Sequence, residues 1–362
     1  MKWSWKLVRI AGIDVYIHAT FFILLVWQGL AYWNKTGELF AVAQGVLFII
    51  ALFGCVVLHE YGHALTARKY GIRTRNITLY PIGGVASLEG MPDDPWQEIK
   101  VALAGPAVNL VIAIILYIGF VVFSRAPESE EIDLVTGSFW YRLMVVNIIL
   151  GVFNLLPAFP MDGGRVVRAL LSLRMDKAKA TAIAASIGQS ISYVLAFLGF
   201  MYNPFLLVIA VFIWIAAAAE SGAEQLKSAL YGATAGQAML TEFHFLSSAD
   251  SLAHAVEMTL TGSQKDFPVG DKQQITGVLT QALLLQGLRE LGETARVDEL
   301  ALATIQSCDK NEPVEQLMLR LQGQQCPMVA VLDREQVVGI VNLDNVMELI
   351  SIHSAVKSHL DA

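Results

Sequence analysis

The stretch Val56-Val57-Leu58-His59-Glu60-Tyr61-Gly62-His63-Ala64-Leu65 sets two imidazoles four residues apart with a carboxylate between them. On a helix, residues at i and i+4 share a face about one turn apart, so both rings can bind one metal ion while Glu60 reaches a water on it. The stretch closes a long apolar run, and a charged side chain near a bilayer's centre costs on the order of 2.5 to 3.5 kcal/mol. A divalent cation would compensate such a cluster. Zinc takes neutral imidazole nitrogen and carboxylate oxygen, and its catalytic sites use three protein ligands with water in the fourth place.

A third ligand is therefore required, and the one comparable apolar-flanked acid lies in Asn154-Leu155-Leu156-Pro157-Ala158-Phe159-Pro160-Met161-Asp162-Gly163-Gly164-Arg165. Pro157 and Pro160 must break the helix there, and Gly163 and Gly164 let backbone come close. Asp162 is then expected on irregular backbone at membrane depth, which is tolerated only where protein or a water-filled cavity surrounds it.

The elements that must position these groups are membrane spans. The chain has 362 residues, 55% of them hydrophobic and 16% charged, against about 25% charged in a soluble domain. Charge-poor runs fill residues 13 to about 222, and an ordinary soluble mixture follows. Spans of about 20 apolar residues are expected at 13–33, 40–65, 99–123, 138–156, 182–201 and 204–222. Lys2, Lys6 and Arg9 precede the first, Arg68, Lys69, Arg73 and Arg75 follow the second, and Arg165, Arg168, Arg174, Lys177 and Lys179 follow the fourth. The opposite loops hold only Lys35 and Arg125, with Glu128, Glu130, Glu131 and Asp133 in the second of them. By the positive-inside rule both termini are cytoplasmic, in a cell (plasma or inner) membrane. The first apolar stretch ends without a small-residue cleavage pattern and reads as an uncleaved span. A net charge of −7 with no basic run argues against nucleic acid. Cys55, Cys308 and Cys326 fit neither a disulfide framework nor a zinc knuckle. Cys55, one turn before His59, reads as a small buried residue, with a place near the site as the alternative.

In these motifs the membrane half resembles the site-2 protease family, the M50-type intramembrane zinc metalloproteases. The resemblance rests on His59-Glu60-x-x-His63, Pro81-Ile82-Gly83-Gly84, Ala104-Gly105-Pro106-Ala107-Val108-Asn109 and Asn154 through Gly164. It implies His59, His63 and Asp162 as ligands of one zinc ion per chain and Glu60 as general base, in agreement with the reading of the residues. It also implies that Asn109 and Asn154 line the site, where an amide could orient substrate; satisfying freed backbone groups is the alternative for both. The activity expected is hydrolysis of a peptide bond within or next to the transmembrane segment of a membrane-anchored regulatory protein, a single-span substrate.

Residues 76–89 read as a short hairpin around Gly83 and Gly84 that follows the second span. Its edge could add an extended substrate strand by backbone pairing. His18 falls inside the first expected span, where a site role and a packing role both stand.

Residues 234–352 carry a repeat of about 60 residues. The first copy holds Ser251–Thr261, Phe267-Pro268-Val269 and Ile275–Thr280. The second holds 313–322, 327–332, 337–342 and a helix from Asn345. The order of helix, strand, strand and helix resembles a pair of CBS domains, a module that in many proteins binds adenine nucleotides. The family's ribose-binding pattern, Ser or Thr followed three residues later by Asp, is replaced by Thr280 with Leu283 and by Asn342 with Asn345. This speaks against nucleotide binding and leaves dimerisation or docking, with a homodimer through the pair, as the other reading.

The expected fold is thus a polytopic α-helical membrane domain of about six spans at 1–222, a linker at 223–233, a soluble α+β CBS pair with copies at about 234–290 and 295–352, and a tail at 353–362. A CBS-gated membrane transporter is a competing class, but transport has no need of Glu60 between the two histidines. An inactive membrane-binding relative predicts a broken set of site residues, and here the set is complete.

Overall fold

Alternation along Ile13–His18 places Ile13 and Val15 in the core and Asp14 toward Lys6 and Arg9, at 2.7 and 3.5 Å. That period-two pattern makes a strand. In the computed structural model β1 (Ser4–Ile10) and β2 (Ile13–His18) form an antiparallel hairpin. Its two-residue turn has positive φ at both Ala11 (50°) and Gly12 (85°), the type I′ geometry that matches strand twist. This corrects the first expected span. Summed hydropathy cannot tell an alternating strand from a helix, so residues 13–18 were merged with the helix that follows, α1 (Ala19–Thr36). His18 caps α1, its Nδ1 accepting from the Thr20 amide at 3.3 Å.

The model describes residues 3–81, 83–123, 138–262, 264–271, 275–300, 302–321 and 327–360. Ile82, Arg125, Glu128, Glu130, Glu131, Asp133 and Cys326 lie outside them. It divides into two units, Met1–Glu224 and Gln225–Ala362.

In the first unit α2 (Leu39–Arg68) is followed by the expected hairpin, β3 (Thr74–Tyr80) and β4 (Gly83–Leu88). The hairpin does not stand alone, because β2 pairs parallel to β3 and the sheet runs β1-β2-β3-β4 with β4 at an edge. Tyr61 on α2 ties the sheet down, its hydroxyl donating to the carbonyls of Ile10 and Ile13 at 3.0 and 3.3 Å. Then come α3 (Pro95–Phe123), α4 (Phe139–Asn154), the short α5 (Asp162–Ser172), α6 (Lys177–Met201) and α7 (Phe205–Leu230). Among the described residues four helices, α2, α3, α6 and α7, are long and apolar enough to cross a membrane. The other two expected spans are shorter, α1 with 18 residues and α4 with 16. Large apolar side chains such as Ile115, Val122 and Phe200 point outward from these helices, as surfaces solvated by lipid require. The chain is a multi-pass membrane protein.

The second unit contains α8 (Ala235–Ala238) and two copies of one motif. The first copy is α9 (Leu252–Thr261), β5 (Phe267–Gly270), β6 (Ile275–Leu279) and α10 (Gln281–Glu290). The second adds β7 (Gln306–Asp309) before α11 (Val314–Leu321), β8 (Met328–Asp333), β9 (Gln336–Asn342) and α12 (Leu343–Leu360). Each copy buries its own apolar cluster, one around Leu252, Phe267 and Leu279 and the other around Leu317, Val329 and Val341. The residues read as a linker continue α7 as far as Leu230, whose side chain is buried in the second cluster. Ala223 through Leu230 contain no Gly or Pro to stop a helix, and the first break is Gly232, at φ 78°. The residues read as a tail likewise extend α12 to Leu360.

Buried charge ties α5 in position. Arg168 donates from Nε to Glu98 of α3 at 2.7 Å and from a terminal nitrogen to Glu220 of α7 at 2.8 Å, and the Arg168 and Glu98 side chains are only 3% and 1% exposed. Removing one member of a buried pair strands the other charge, at a cost of roughly 3 to 5 kcal/mol. Arg168→Leu is therefore expected to destabilise the membrane unit strongly, read as a lower midpoint of thermal unfolding in detergent. Arg174→Leu, outside this pairing, serves as the matched control.

Candidate metal centre

Helix α2 brings His59 and His63 to one face, their Nε2 atoms 3.0 Å apart. Both are buried, at 6% and 4% exposure. The Nδ1–H of His63 donates to the Val101 carbonyl of α3 at 2.7 Å. That bond orients the ring and leaves Nε2 as a lone pair facing His59, the outer-shell arrangement of metal-binding histidines. His59 Nδ1 is buried without a partner among the described residues.

The third member arrives from 99 residues further along the chain. Helix α4 stops at Asn154, and residues 155–161 fold as successive turns, with Ala158 N bonded to Leu156 O and Met161 N to Ala158 O. Helix α5 then starts at Asp162 itself, and a Cβ on Gly163 would meet the carbonyls of Leu155 and Leu156. Only glycine lets the turn close so tightly. Asp162 Oδ2 lies 3.1 Å from His63 Nε2 and 3.3 Å from His59 Nε2, at 7% exposure.

Three electron-pair donors thus converge on one point in a buried place, which is repulsive without a cation. The triangle has edges of 3.0, 3.1 and 3.3 Å. Tetrahedral zinc with bonds of about 2.0–2.1 Å has ligand atoms about 3.4 Å apart. The donor set and its spacing fit zinc, and all three donors line one cavity.

That cavity, of about 440 Å³, is lined by Glu60, Gly83, Gly84, Asn109, Asn154 and Arg165 as well as the three donors. All eight residues singled out in the sequence are thereby brought to one site. Glu60 is packed beneath the edge strand, since a Cβ on Gly84 would come within 3.0 Å of its Cγ. Asn154 donates to the Leu150 carbonyl at 3.0 Å, a backbone-satisfying role combined with its place on the cavity wall. Asn109, at 1% exposure, leaves Oδ1 without a hydrogen bond among the described residues. Cys55 does not join the site; it packs with Phe48 and Leu143.

Three contributors were given no role at the site by the sequence reading. Gly105 backs directly onto the donors, for a Cβ there would fall on Nε2 of both histidines. Its spacing of four residues before Asn109 carried the signal, because the two share a face of α3. Phe212 of α7 and the Val101 carbonyl carried none, since neither side-chain chemistry nor spacing marks them.

A buried His-His-Asp cluster with a neighbouring glutamate, set among membrane-crossing helices, defines the class as membrane-embedded metalloproteases. The model of peptidase family M50 matches residues 47–136 and 122–199. A zinc metalloprotease of Methanocaldococcus jannaschii is 34% identical over 77% of this chain and 78% of its own length. The chain belongs to peptidase family M50, and its cofactor is zinc. Among solved structures, a site-2 protease from Methanocaldococcus jannaschii is 36% identical, covering 60% of this chain and 95% of its own, at a TM-score of 0.45. The C-terminal region is similar to a hemolysin-like protein containing a CBS domain from Oenococcus oeni, 22% identical over 35% of this chain and 96% of that one, at a TM-score of 0.32.

Gly105→Ala would drive a methyl group into the donor triangle. The expected outcome is a loss of zinc affinity of roughly tenfold or more, measured as metal per chain after dialysis against a graded chelator, with helix content unchanged by circular dichroism.

Proposed function

We propose that this chain hydrolyses a peptide bond within or next to the transmembrane segment of a membrane-anchored protein. The observation that carries the reading is the opening of the donor cluster and Glu60 onto one cavity whose wall is the edge strand β4, represented there by Gly83, Gly84, Val85, Ala86 and Leu88. His59, His63 and Asp162 would hold the metal. Zinc bound there would lower the pKa of water toward about 7 and polarise a carbonyl oxygen. Glu60 takes the proton from the attacking water and returns it to the departing amine, the paired duty of a general base and acid. No covalent enzyme intermediate is needed. Asn109, with an unpaired amide oxygen, is suited to orienting the substrate backbone.

A helical substrate hides its carbonyls in its own hydrogen bonds, so it must be extended before attack. β4 supports that step, because an edge strand carries unpaired N–H and C=O groups that accept a further strand. The basic residues around the membrane helices support cytoplasmic termini in a cell membrane. Residues 1–222 are read as the proteolytic domain and 234–352 as a CBS pair. In that pair Thr280 Oγ1 accepts from the Leu283 amide, and Asn342 and Asn345 bond each other's amides reciprocally at 3.0 and 3.1 Å. Helix capping thus occupies the places where nucleotide-binding pairs carry their ribose contacts, and this favours a dimerisation or docking role.

Glu60→Gln is expected to keep its zinc while losing cleavage of single-span membrane proteins by roughly 100-fold or more; loss of zinc together with activity would count against the assigned role. Val85→Pro removes a backbone donor from β4. It is expected to impair cleavage with zinc content unchanged, and undiminished turnover would sink the strand-addition step.

A further inference from the structure

Among the residues lining the cavity, Arg165 is the sole lysine or arginine, beside the carboxylates of Glu60 and Asp162. It lies in the first turn of α5, three residues after Asp162, where the positive end of the helix disfavours a cation. It is half-buried, yet among the described residues it makes no hydrogen bond or ion pair. Arg168, on the same helix, is fully engaged by Glu98 and Glu220. A guanidinium carries five N–H donors in a planar fork that matches a carboxylate. Leaving that fork unmet in a recess built from β4 and five helices is costly unless something enters to meet it.

Its charge is not needed to neutralise the metal site. With both histidines neutral as ligands, Asp162 and Glu60 together carry two negative charges, which a divalent cation cancels. Arg165 then leaves the loaded cavity with one positive charge in excess.

We infer that Arg165 is a specificity-determining residue that binds a carboxylate of the chain lying in the cavity. This rests on the protease reading for the identity of that chain. The shared chemistry has two sources, an acidic side chain close to the scissile bond and the C-terminal carboxylate released by hydrolysis. Either would take a bidentate pair from the fork while apolar neighbours such as Val85, Leu88 and Phe153 hold the flanking side chains.

The test is equilibrium binding to full-length, zinc-loaded Glu60→Gln protein, which needs no turnover. Three versions of one apolar octapeptide serve as probes: neutral with both ends blocked, carrying one glutamate with both ends blocked, and neutral with a free C-terminal carboxylate. One carboxylate version should bind about tenfold or more tightly than the neutral one, the scale of a charge-assisted hydrogen bond, and more weakly as salt rises. Which version gains identifies the source. Adding Arg165→Gln should abolish the gain while neutral-peptide affinity and zinc content stay unchanged, and Arg165→Lys should restore part of it. Equal binding of all three peptides, or a gain that survives Arg165→Gln, overturns the proposal. Should the gain appear while the protein with Glu60 intact cuts none of its substrates, the protease reading fails and the role of Arg165 stands.

Discussion

The arrangement depends on one electrostatic constraint: three lone-pair donors must meet within 3.3 Å in a buried place, on helices about 100 residues apart along the chain. Two of them follow from a single helical turn. The third requires a second span to end early, fold back and start a new helix with the ligand as its first residue. Everything near the site serves that meeting. Gly105 takes a side chain out of the way, Gly163 lets the turn close, and the Val101 carbonyl fixes one imidazole.

In an apolar surrounding several polar side chains of the membrane unit turn to the nearest backbone carbonyl. Asn147 donates to the Leu143 carbonyl at 2.8 Å, and Thr181 donates to the Lys177 carbonyl at 2.8 Å. Arg168 and Glu98 pair at full burial, an ionic contact that links α3 to α5 and so sets the helix bearing Asp162 against the helix bearing Gly105. Among the described residues, the groups at the cavity without a hydrogen bond are His59 Nδ1, the Asn109 oxygen and the Arg165 fork, while Asn147 Oδ1 and Thr74 Oγ1 are unmet elsewhere. Unsatisfied polar atoms in a low-dielectric place carry a cost, and they concentrate where something else is to bind.

Legibility in the sequence followed the range of the interactions. The i, i+4 histidines were readable because helical periodicity alone puts them together, and Asp162 was readable because two prolines and two glycines have few reasons to flank an acid inside an apolar run. The hairpin at β3 and β4 was legible from its Gly-Gly turn. β1 and β2 were not, because Ile13–His18 is apolar enough to pass for part of a helix, and their pairing with β3 links residues about 60 apart in sequence. The end of α7 was not legible for a similar reason. A change in composition near residue 222 marks a change of solvent, whereas the helix runs on until Gly232 stops it.

The amino-acid sequence by itself determined the chemistry: which side chains can hold a divalent ion, which carboxylate can carry a proton, and which runs of residues need lipid around them. These are properties of residue type and local spacing. Only the tertiary structure decided that β4 is an edge facing those donors, that Gly105 must lack a side chain, and that Arg165 lines the cavity without a hydrogen-bond partner among the described residues while Arg168 is paired with Glu98 and Glu220. Neighbouring arginines are chemically identical in a sequence. What separates them is which helices surround each one, and that is set by packing between residues far apart along the chain.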